Sequence, residues 1–541
     1  MLKQRAFGVM LMALLSLATL VPPSVEAQAQ PKRGGTIIEG LGAEPTTLDI
    51  FKAGRRPELT TLRLIIEPLV IVNDKLEVAP LLAKSWTVSK DQLTWTFTLN
   101  TGITFHDGTP LNAEAVKFSM ERHKKGVWGV LLTAVKEIQA VNDSTVVFKL
   151  DRPFPGLIDN LAQYILGIVS PTAVQKAGNE WGSKVIVGTG PFKFKNWISG
   201  DRINLERFDA YKHGPAFATN KGPAYAEAWV IRFLLEPTTL LAELTEGNVD
   251  LSNYVTERDA NKVRNHPKTE LVMVKSTNAV YLAINTVSER FNDVRVREAL
   301  SHAVNRDIVI KAAMFGIGEP LYTPLPFNIK GFSKEAEELG KIVNKYDPER
   351  AKKLLDEAGW KAGSDGVREK SGKKLDVDFI AFTIAGFKQT AEVTLPMLQA
   401  VGFNPKLQVL EAGDLYQRVL AKNFDLLSTS QVTSQAIVVN DMIRGYHSKS
   451  LGTITQWSHY SDPVMDRYLD TVQYSLNPKE RAESLVAAQK KVVQDVTVVP
   501  LALQMGLFGF KKSLGGVAEY FKHPLAYGQL DGMRALEIYK K

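Results

Sequence analysis

Leu81-Leu-Ala-Lys-Ser-Trp-Thr-Val-Ser-Lys-Asp-Gln-Leu-Thr-Trp-Thr-Phe-Thr-Leu99, running on into Phe105-His-Asp-Gly-Thr-Pro110, decides how this chain reads. Trp95, Phe97 and Leu99 alternate with Thr94, Thr96 and Thr98, the period of two that half-buries a strand because successive side chains leave opposite faces. His106-Asp-Gly-Thr-Pro110 supplies the turn that follows, from residues that bond their own backbone or pre-set its dihedrals. Beyond it Asn112 stands as a helix cap ahead of Val116 and Met120, and 145–150 and 192–195 alternate again. This strand-rich first part predicts a mixed α+β lobe.

A different rhythm begins at Val280-Tyr-Leu-Ala-Ile-Asn285, an apolar strand that leads through Asn292 and Asp293 into a helix bearing Val296, Ala299, Leu300, Ala303 and Val304 on one face. Asp347-Pro348 opens the next helix, with Leu354, Leu355 and Ala358 on its apolar side and Gly359 ending it. Leu375, Val377 and Phe379 then alternate as a strand, a helix covers about 388–400, and Leu407 and Val409 alternate. Asp414 is expected to cap a helix, and 424–427 to form a strand. Alternating strands and helices predict an α/β lobe. Helices opened by Asp462-Pro463 and Asn477-Pro478 precede the apolar strand 496–503.

Lys3 and Arg5 precede an apolar run from Phe7 to Val21, and Pro22-Pro-Ser-Val-Glu-Ala-Gln-Ala29 follows. The run is short for a span and its flank suits a peptidase, so 1–29 is expected to be a signal peptide, cleaved after Ala27 or Ala29. Without a single cysteine the chain offers no lipid attachment, disulfide framework or thiolate metal site. The expected location is the periplasm, in soluble form. At 541 residues, 45% hydrophobic and 23% charged, the composition is globular and the length exceeds what one core usually serves, so two large lobes are expected. The net charge of +8 is dispersed without a dense basic run, and export argues against nucleic acid as a partner.

No enzyme constellation stands out: there is no Gly-x-Ser-x-Gly, no His-Glu-x-x-His and no phosphate loop, and the eight histidines are scattered. Val187-Gly-Thr-Gly-Pro-Phe192 invites a dinucleotide reading, but the third glycine is missing and a strand pattern follows, which predicts a tight turn before an edge strand. His106 reads as part of its turn, and His447 and His459 are too far apart to suggest a ligand pair. Neither metal nor cofactor is expected.

Three of these stretches resemble one family. The 81–110 segment, Gly188-Thr-Gly-Pro-Phe192 with Trp197, Gly200 and the stretch to Tyr211, and the 280–304 strand and helix are similar to signatures of periplasmic solute-binding proteins of ABC transporters, in family five, which carries peptides, nickel chelates and opines. The resemblance implies a two-lobed periplasmic binding protein fold with a hinge between a discontinuous mixed lobe, 30–277 plus 498–541, and an inserted α/β lobe, 278–497. The two crossings would fall near 277–282 and 496–501. It further implies a monomeric receptor that delivers a small polar or peptide-like ligand to an inner-membrane ABC permease. A periplasmic peptide-binding chaperone using the same cleft is the alternative, and a secreted hydrolase a weaker one.

The resemblance also places one cleft wall after the strand at 424–427. In peptide-binding relatives this wall reads approximately Trp-Gly-Trp-x-Ala-Asp-Tyr-Pro-x-Pro, and its Asp pairs with the ligand's α-ammonium. Aligned without gaps, the Asp position falls on Ser434, Gln431 replaces a tryptophan and Gln435 replaces an aromatic. A wall without an anion does not offset the cost of drying an ammonium group, which argues against a free-amine peptide. The expected liners here are Gln431, Val432, Thr433, Ser434 and Gln435, whose polar members both donate and accept hydrogen bonds. Trp128, between glycines at the place where metal-chelate relatives stack a tryptophan on their ligand, is a further candidate and reads equally as a core residue. Thr46, Thr47, Phe382 and Thr383 complete the candidate liners.

Overall fold

Two strands carry the architecture from one half of the molecule to the other. The computed structural model describes residues 31–383, 385–432, 438–453, 455–517, 521 and 532–541. Its main sheet holds eleven strands, numbered here in chain order: β1 (Thr36–Leu41), β2 (Phe192–Ile198), β3 (Arg202–Arg207), β4 (Ala228–Phe233), β5 (Leu251–Ser252), β6 (Thr269–Ile284), β7 (Gly318–Pro320), β8 (Asp376–Phe382), β9 (Asn404–Leu410), β10 (Leu426–Val432) and β11 (Val498–Lys511). They lie in the order β9-β8-β10-β6-β11-β5-β1-β4-β3-β2, with β7 on β11. The lower parts of β6 and β11 join one apolar core, through Val272, Val274, Phe508 and Phe510. Their upper parts join another, through Val280, Leu282, Ile284, Val499 and Leu501.

The antiparallel pairing of β6 with β11 breaks between these cores. Lys275 faces Met505 and Ala279 faces Leu503, so Ser276, Thr277 and Asn278 stand against Gln504 alone. A surplus on one strand leaves groups out of the ladder and bends the pair. Side chains take up the slack: Asn278 Nδ2 donates to Gln504 Oε1 at 2.6 Å, Gln504 Nε2 donates to Glu257 Oε1 at 2.9 Å, and Asn328 Nδ2 donates to the Ser276 carbonyl at 3.0 Å.

The Thr94–Leu99 strand sits inside a second, four-stranded sheet, with Trp95, Phe97 and Leu99 buried as their alternation requires. Helix α1 (Ala113–Lys125) starts at Asn112, whose side chain accepts from the Ala115 amide. Gly188 and Gly190 are where the chain passes against 64–67. A Cβ at Gly188 would lie 2.1 Å from the Ile65 carbonyl oxygen, and one at Gly190 would lie 2.7 Å from the Ile65 carbonyl carbon. The pair permits a close backbone approach, and β2, which follows, is the sheet's edge.

In the second lobe the caps at Asp293, Asp347, Asp462 and Asn477 all accept backbone N–H groups at the starts of their helices. Helix α2 (Val294–Ala303) buries its apolar face in the same core that the upper part of β6 joins, and α3 (Ala385–Gln399) joins β8 to β9. Helix α4 (Ala412–Leu420) departs from the sequence reading. Its N-cap is Glu411, and Asp414 lies within the first turn, where a negative charge still favours the helix N-terminus. The strand expected at 424–427 is instead β10, which begins at Leu426 and continues to Val432, because Ser428, Thr429, Ser430 and Gln431 find backbone partners along β6. The strand expected from 496 begins at Val498, since Val496, at φ 44°, is the left-handed cap that ends the preceding helix. Helices α5 (Val438–Tyr446), α6 (Pro463–Tyr474) and α7 (Pro478–Asp495) enclose a smaller apolar cluster built on Met442, Met465 and Val492.

Candidate functional site

Strand β8 pairs in parallel with β9 on one side and β10 on the other, and the chain crosses from one neighbour to the other through α4. Such a reversal opens a crevice beyond the carboxyl ends of the strands, where backbone groups point outward and the crossover helices diverge. Phe382 ends β8, and Gln431 and Val432 end β10, so topology brings these residues to one edge of the second lobe.

At that edge Gln431 Oε1 accepts from the Tyr281 hydroxyl at 3.1 Å. Its Nε2 is buried with no hydrogen-bond partner among the described residues. The neighbouring position is Gly445, where a Cβ would lie only 3.6 Å from Oε1. Behind them stand Tyr446 and Asp441, both buried, with Arg444 Nη1 3.7 Å from the Asp441 carboxylate. Burial first, and then the charges of Tyr446 and Asp441, push the Tyr281 phenol well above its ordinary range, so it remains a neutral donor. Phe382 is enclosed by Phe387 and Tyr416, each with its ring centroid 5.7 Å away, and by Trp457 at 6.4 Å. Thr383 is exposed, and its amide donates to the Leu410 carbonyl.

The first-lobe candidates are tied to their own surroundings. Thr46 donates through amide and hydroxyl to Glu58 Oε1, at 2.9 and 3.2 Å, and the Thr47 hydroxyl accepts from the Asp49 amide. Trp128 is half-buried, with Nε1 donating to the Ala53 carbonyl at 2.9 Å. Its flanking glycines permit close contacts: a Cβ at Gly126 would fall 2.6 Å from the Phe51 carbonyl oxygen, and one at Gly129 would fall 2.4 Å from that of Lys124. Thr433, Ser434 and Gln435 lie outside the described residues, as does the side chain of Val432.

The lobes meet beside this wall. A cavity of about 240 Å³ has Phe154, Pro155 and Asp159 on one side and Val439, Val472 and Leu485 on the other. Lys330 pairs with Asp159 across the seam at 3.3 Å, and the Arg152 guanidinium lies 5.3 Å from the Tyr474 ring centroid. Both kinds of contact, apolar and charged, therefore link the two lobes. Among the described residues no group of three or more His, Asp or Glu is placed to hold a metal ion, and no helix is long and apolar enough to cross a membrane. His106 is structural: Nε2 lies 2.8 Å from the Gly190 carbonyl oxygen, Nδ1 accepts from the Gly188 amide, and burial lowers its pKa to about 4.

A family model described as bacterial extracellular solute-binding proteins, family 5 Middle, matches residues 77–451, across both lobes and the break between them. The chain belongs to this family. A putative ABC transporter peptide-binding protein of Brucella ovis is 30% identical over 363 residues, covering 64% of each chain, so the match spans just under two thirds of that relative. The oligopeptide-binding protein AppA of Bacillus subtilis is 25% identical over 488 residues, covering 87% of this chain and 86% of AppA. Among solved structures, the ABC transporter substrate-binding protein CtaP of Listeria monocytogenes superposes with a TM-score of 0.80 at 21% identity, over 94% of this chain and all of CtaP. The two-lobed solute-binding fold is therefore that of this family-5 chain, a mixture of α/β and α+β lobes without a barrel.

Sequence reasoning reached Gln431 through the resemblance but missed Tyr281, Asp441, Arg444 and Tyr446. One signal was available, since a tyrosine in the all-apolar run 280–284 must find a partner for its hydroxyl.

Proposed function

We propose that this chain is the exported substrate-binding component of an ABC importer, a monomeric receptor that binds without chemistry. It captures a small polar solute of peptide-like, opine-like or chelate chemistry between its lobes and delivers it to an inner-membrane permease. The signal peptide is removed after Ala27 or Ala29, and no lipid is attached because the chain has no cysteine. The mixed lobe is 30–277 with 498–541, and the inserted lobe is 278–497.

One observation carries this reading: β6 and β11 pass through both cores, and their pairing breaks at Ser276, Thr277 and Asn278 against Gln504. Two strands with a local loss of ladder bonds are a bending point that leaves both cores intact, which is what domain closure needs. The peptide-binding names of the Brucella and Bacillus relatives favour a peptide-like solute, while the absence of an acid at Ser434 argues for one without a free α-ammonium there.

Mass spectrometry of the periplasmic protein, intact and after denaturation, tests the reading. The expected result is a chain lacking its first 27 or 29 residues, without a lipid increment, that releases one small molecule in stoichiometric amount. Adding that molecule back to the stripped protein should lower the radius of gyration in solution scattering, since a mostly open protein becomes mostly closed when ligand favours the closed form by about 5 kcal/mol. Retention of Met1, or a radius unchanged at saturation, would overturn the proposal. Release of mixed unfolded segments would favour a chaperone.

A further inference from the structure

A strained residue stands at the seam between the lobes. Strands Val70–Val72 and Val78–Pro80 pair as an antiparallel hairpin of the first lobe, and Leu76, in the turn between them, has a φ of 61°. A side chain in this left-handed region crowds the backbone, so the turn would close at lower cost with Gly or Asn. The turn is defined without help from the leucine. Asn73 Oδ1 accepts from the Lys75 and Glu77 amides at 2.9 and 3.0 Å, its Nδ2 donates to Glu77 Oε2 at 3.1 Å, and its carbonyl accepts from the Leu76 amide. Asp74 roots the turn in its own lobe, since both carboxylate oxygens accept from Arg534 Nη2, at 2.5 and 2.6 Å, and that buried guanidinium lies 5.3 Å from the Phe217 ring centroid.

The Leu76 side chain serves the other lobe. It is half-buried against the second-lobe cluster that includes Leu325, Ile329, Met442 and Met465, and Val72, on the same hairpin, packs against this cluster as well as against the core of the first lobe. Helix α5 carries Met442 in the cluster and also Tyr446, which stands behind Gln431. A rigid projection rooted in one lobe is thus seated on the element that backs the candidate wall of the other.

We propose that Leu76 is a latch, a side chain that stabilises the closed arrangement before any solute arrives and so sets the balance between open and closed forms of the empty receptor. This role rests on the reading of β6 and β11 as the hinge. Rotation about them lifts Leu76 off its seat, so its packing counts only in the closed form, whereas the backbone strain is the same in both forms and cancels. A leucine where the turn would close more easily with Gly or Asn then has a physical reason.

Small-angle scattering on the full mature chain, stripped of solute by denaturation and refolding, tests it. Leu76→Asn and Leu76→Gly keep the turn, because both residues accept its φ, and remove the apolar side chain. Each should lower the closed-to-open ratio about tenfold, the effect of exposing part of a leucine side chain, and so raise the radius of gyration above that of the wild type while the Kratky profile stays that of a folded protein. Leu235→Asn, at an exposed leucine of the first lobe, should leave the radius at the wild-type value. Equal radii for the wild type and both Leu76 variants would overturn the latch and leave the hinge reading standing, because closure on adding back the released solute is measured separately on the wild type. A rise that came with loss of the folded profile, or an equal rise in Leu235→Asn, would overturn it as well.

Discussion

Asn278 Nδ2 donates to Gln504 Oε1 at 2.6 Å where three residues of β6 stand against one of β11, and Gln504 passes the contact on to Glu257. A side-chain relay thus replaces ladder bonds at the joint between two cores. Side-chain bonds bend more freely than a ladder, yet leaving their buried donors unmet is costly. Gln504→Ala strands Asn278 and Glu257 together, and should lower stability to urea by about 1–3 kcal/mol. An unchanged urea midpoint would mean that the relay contributes nothing to the joint.

Two buried histidines give the first lobe a pH dependence of definite sign. His123 Nε2 lies 2.9 Å from the Gly167 carbonyl oxygen, and its Nδ1 is buried without a partner among the described residues. Protonation would place an unmet N–H there, and burial holds the pKa at about 4. His106 also sits at about 4 through burial, and protonating its Nδ1 would lose the Gly188 amide contact. Both pKa values lie below the unfolded value of 6.5, so the unfolded chain binds more protons between pH 6.5 and 4. Stability from these groups is complete above pH 6.5 and falls as pH drops toward 4, by roughly 3 kcal/mol for each shift. His123→Gln keeps a donor for Gly167 and cannot titrate, so its unfolding free energy should fall less steeply over this window. Parallel curves for variant and wild type would contradict the assignment.

Gly188 offers a steric test. A Cβ there would lie 2.1 Å from a backbone oxygen that cannot rotate away, so Gly188→Ala should cost about 3 kcal/mol or more by overpacking. Gly200→Ala has nothing within 4 Å of its Cβ, and its cost comes only from a φ of 75°. The urea midpoint should drop further for Gly188→Ala, and the reverse order would refute the close-approach reading.

What the sequence made legible follows from where its signals were local. Alternation at Trp95, Phe97 and Leu99 and the caps at Asn112, Asp293, Asp347, Asp462 and Asn477 are decided within a few residues, and the structure agrees with each. The full extents of β6, β10 and β11 were not legible, because β10 is polar through Ser428, Thr429, Ser430 and Gln431 and is held as a strand by its neighbour in space. The wall around Gln431 combines residues of β6, β10 and α5, and no single-segment pattern brings Tyr281 to Gln431, 150 positions away. The packing of Leu76 against the second-lobe cluster escaped for the same reason.

The chemistry of the ligand is tested most directly at Gln431 and Ser434. Gln431 Nε2 is a buried donor without a partner among the described residues, an arrangement that costs free energy until an acceptor arrives, so a bound ligand is expected to supply one. Gln431→Ala should therefore weaken the co-purified solute by about 1–3 kcal/mol. Ser434→Asp restores an acid at the position where the resemblance puts the Asp of peptide-binding relatives, and against a ligand lacking a cation there it should weaken binding by about 2–5 kcal/mol, the cost of drying an unpaired charge. Unmodified di- to pentapeptides should bind poorly to the wild type. Calorimetry across the three proteins decides the matter. Tight binding of ordinary peptides that depends on their free amino terminus would place the ammonium site elsewhere, and Asp441, buried one helical segment on and 3.7 Å from Arg444, would then be the acid to test.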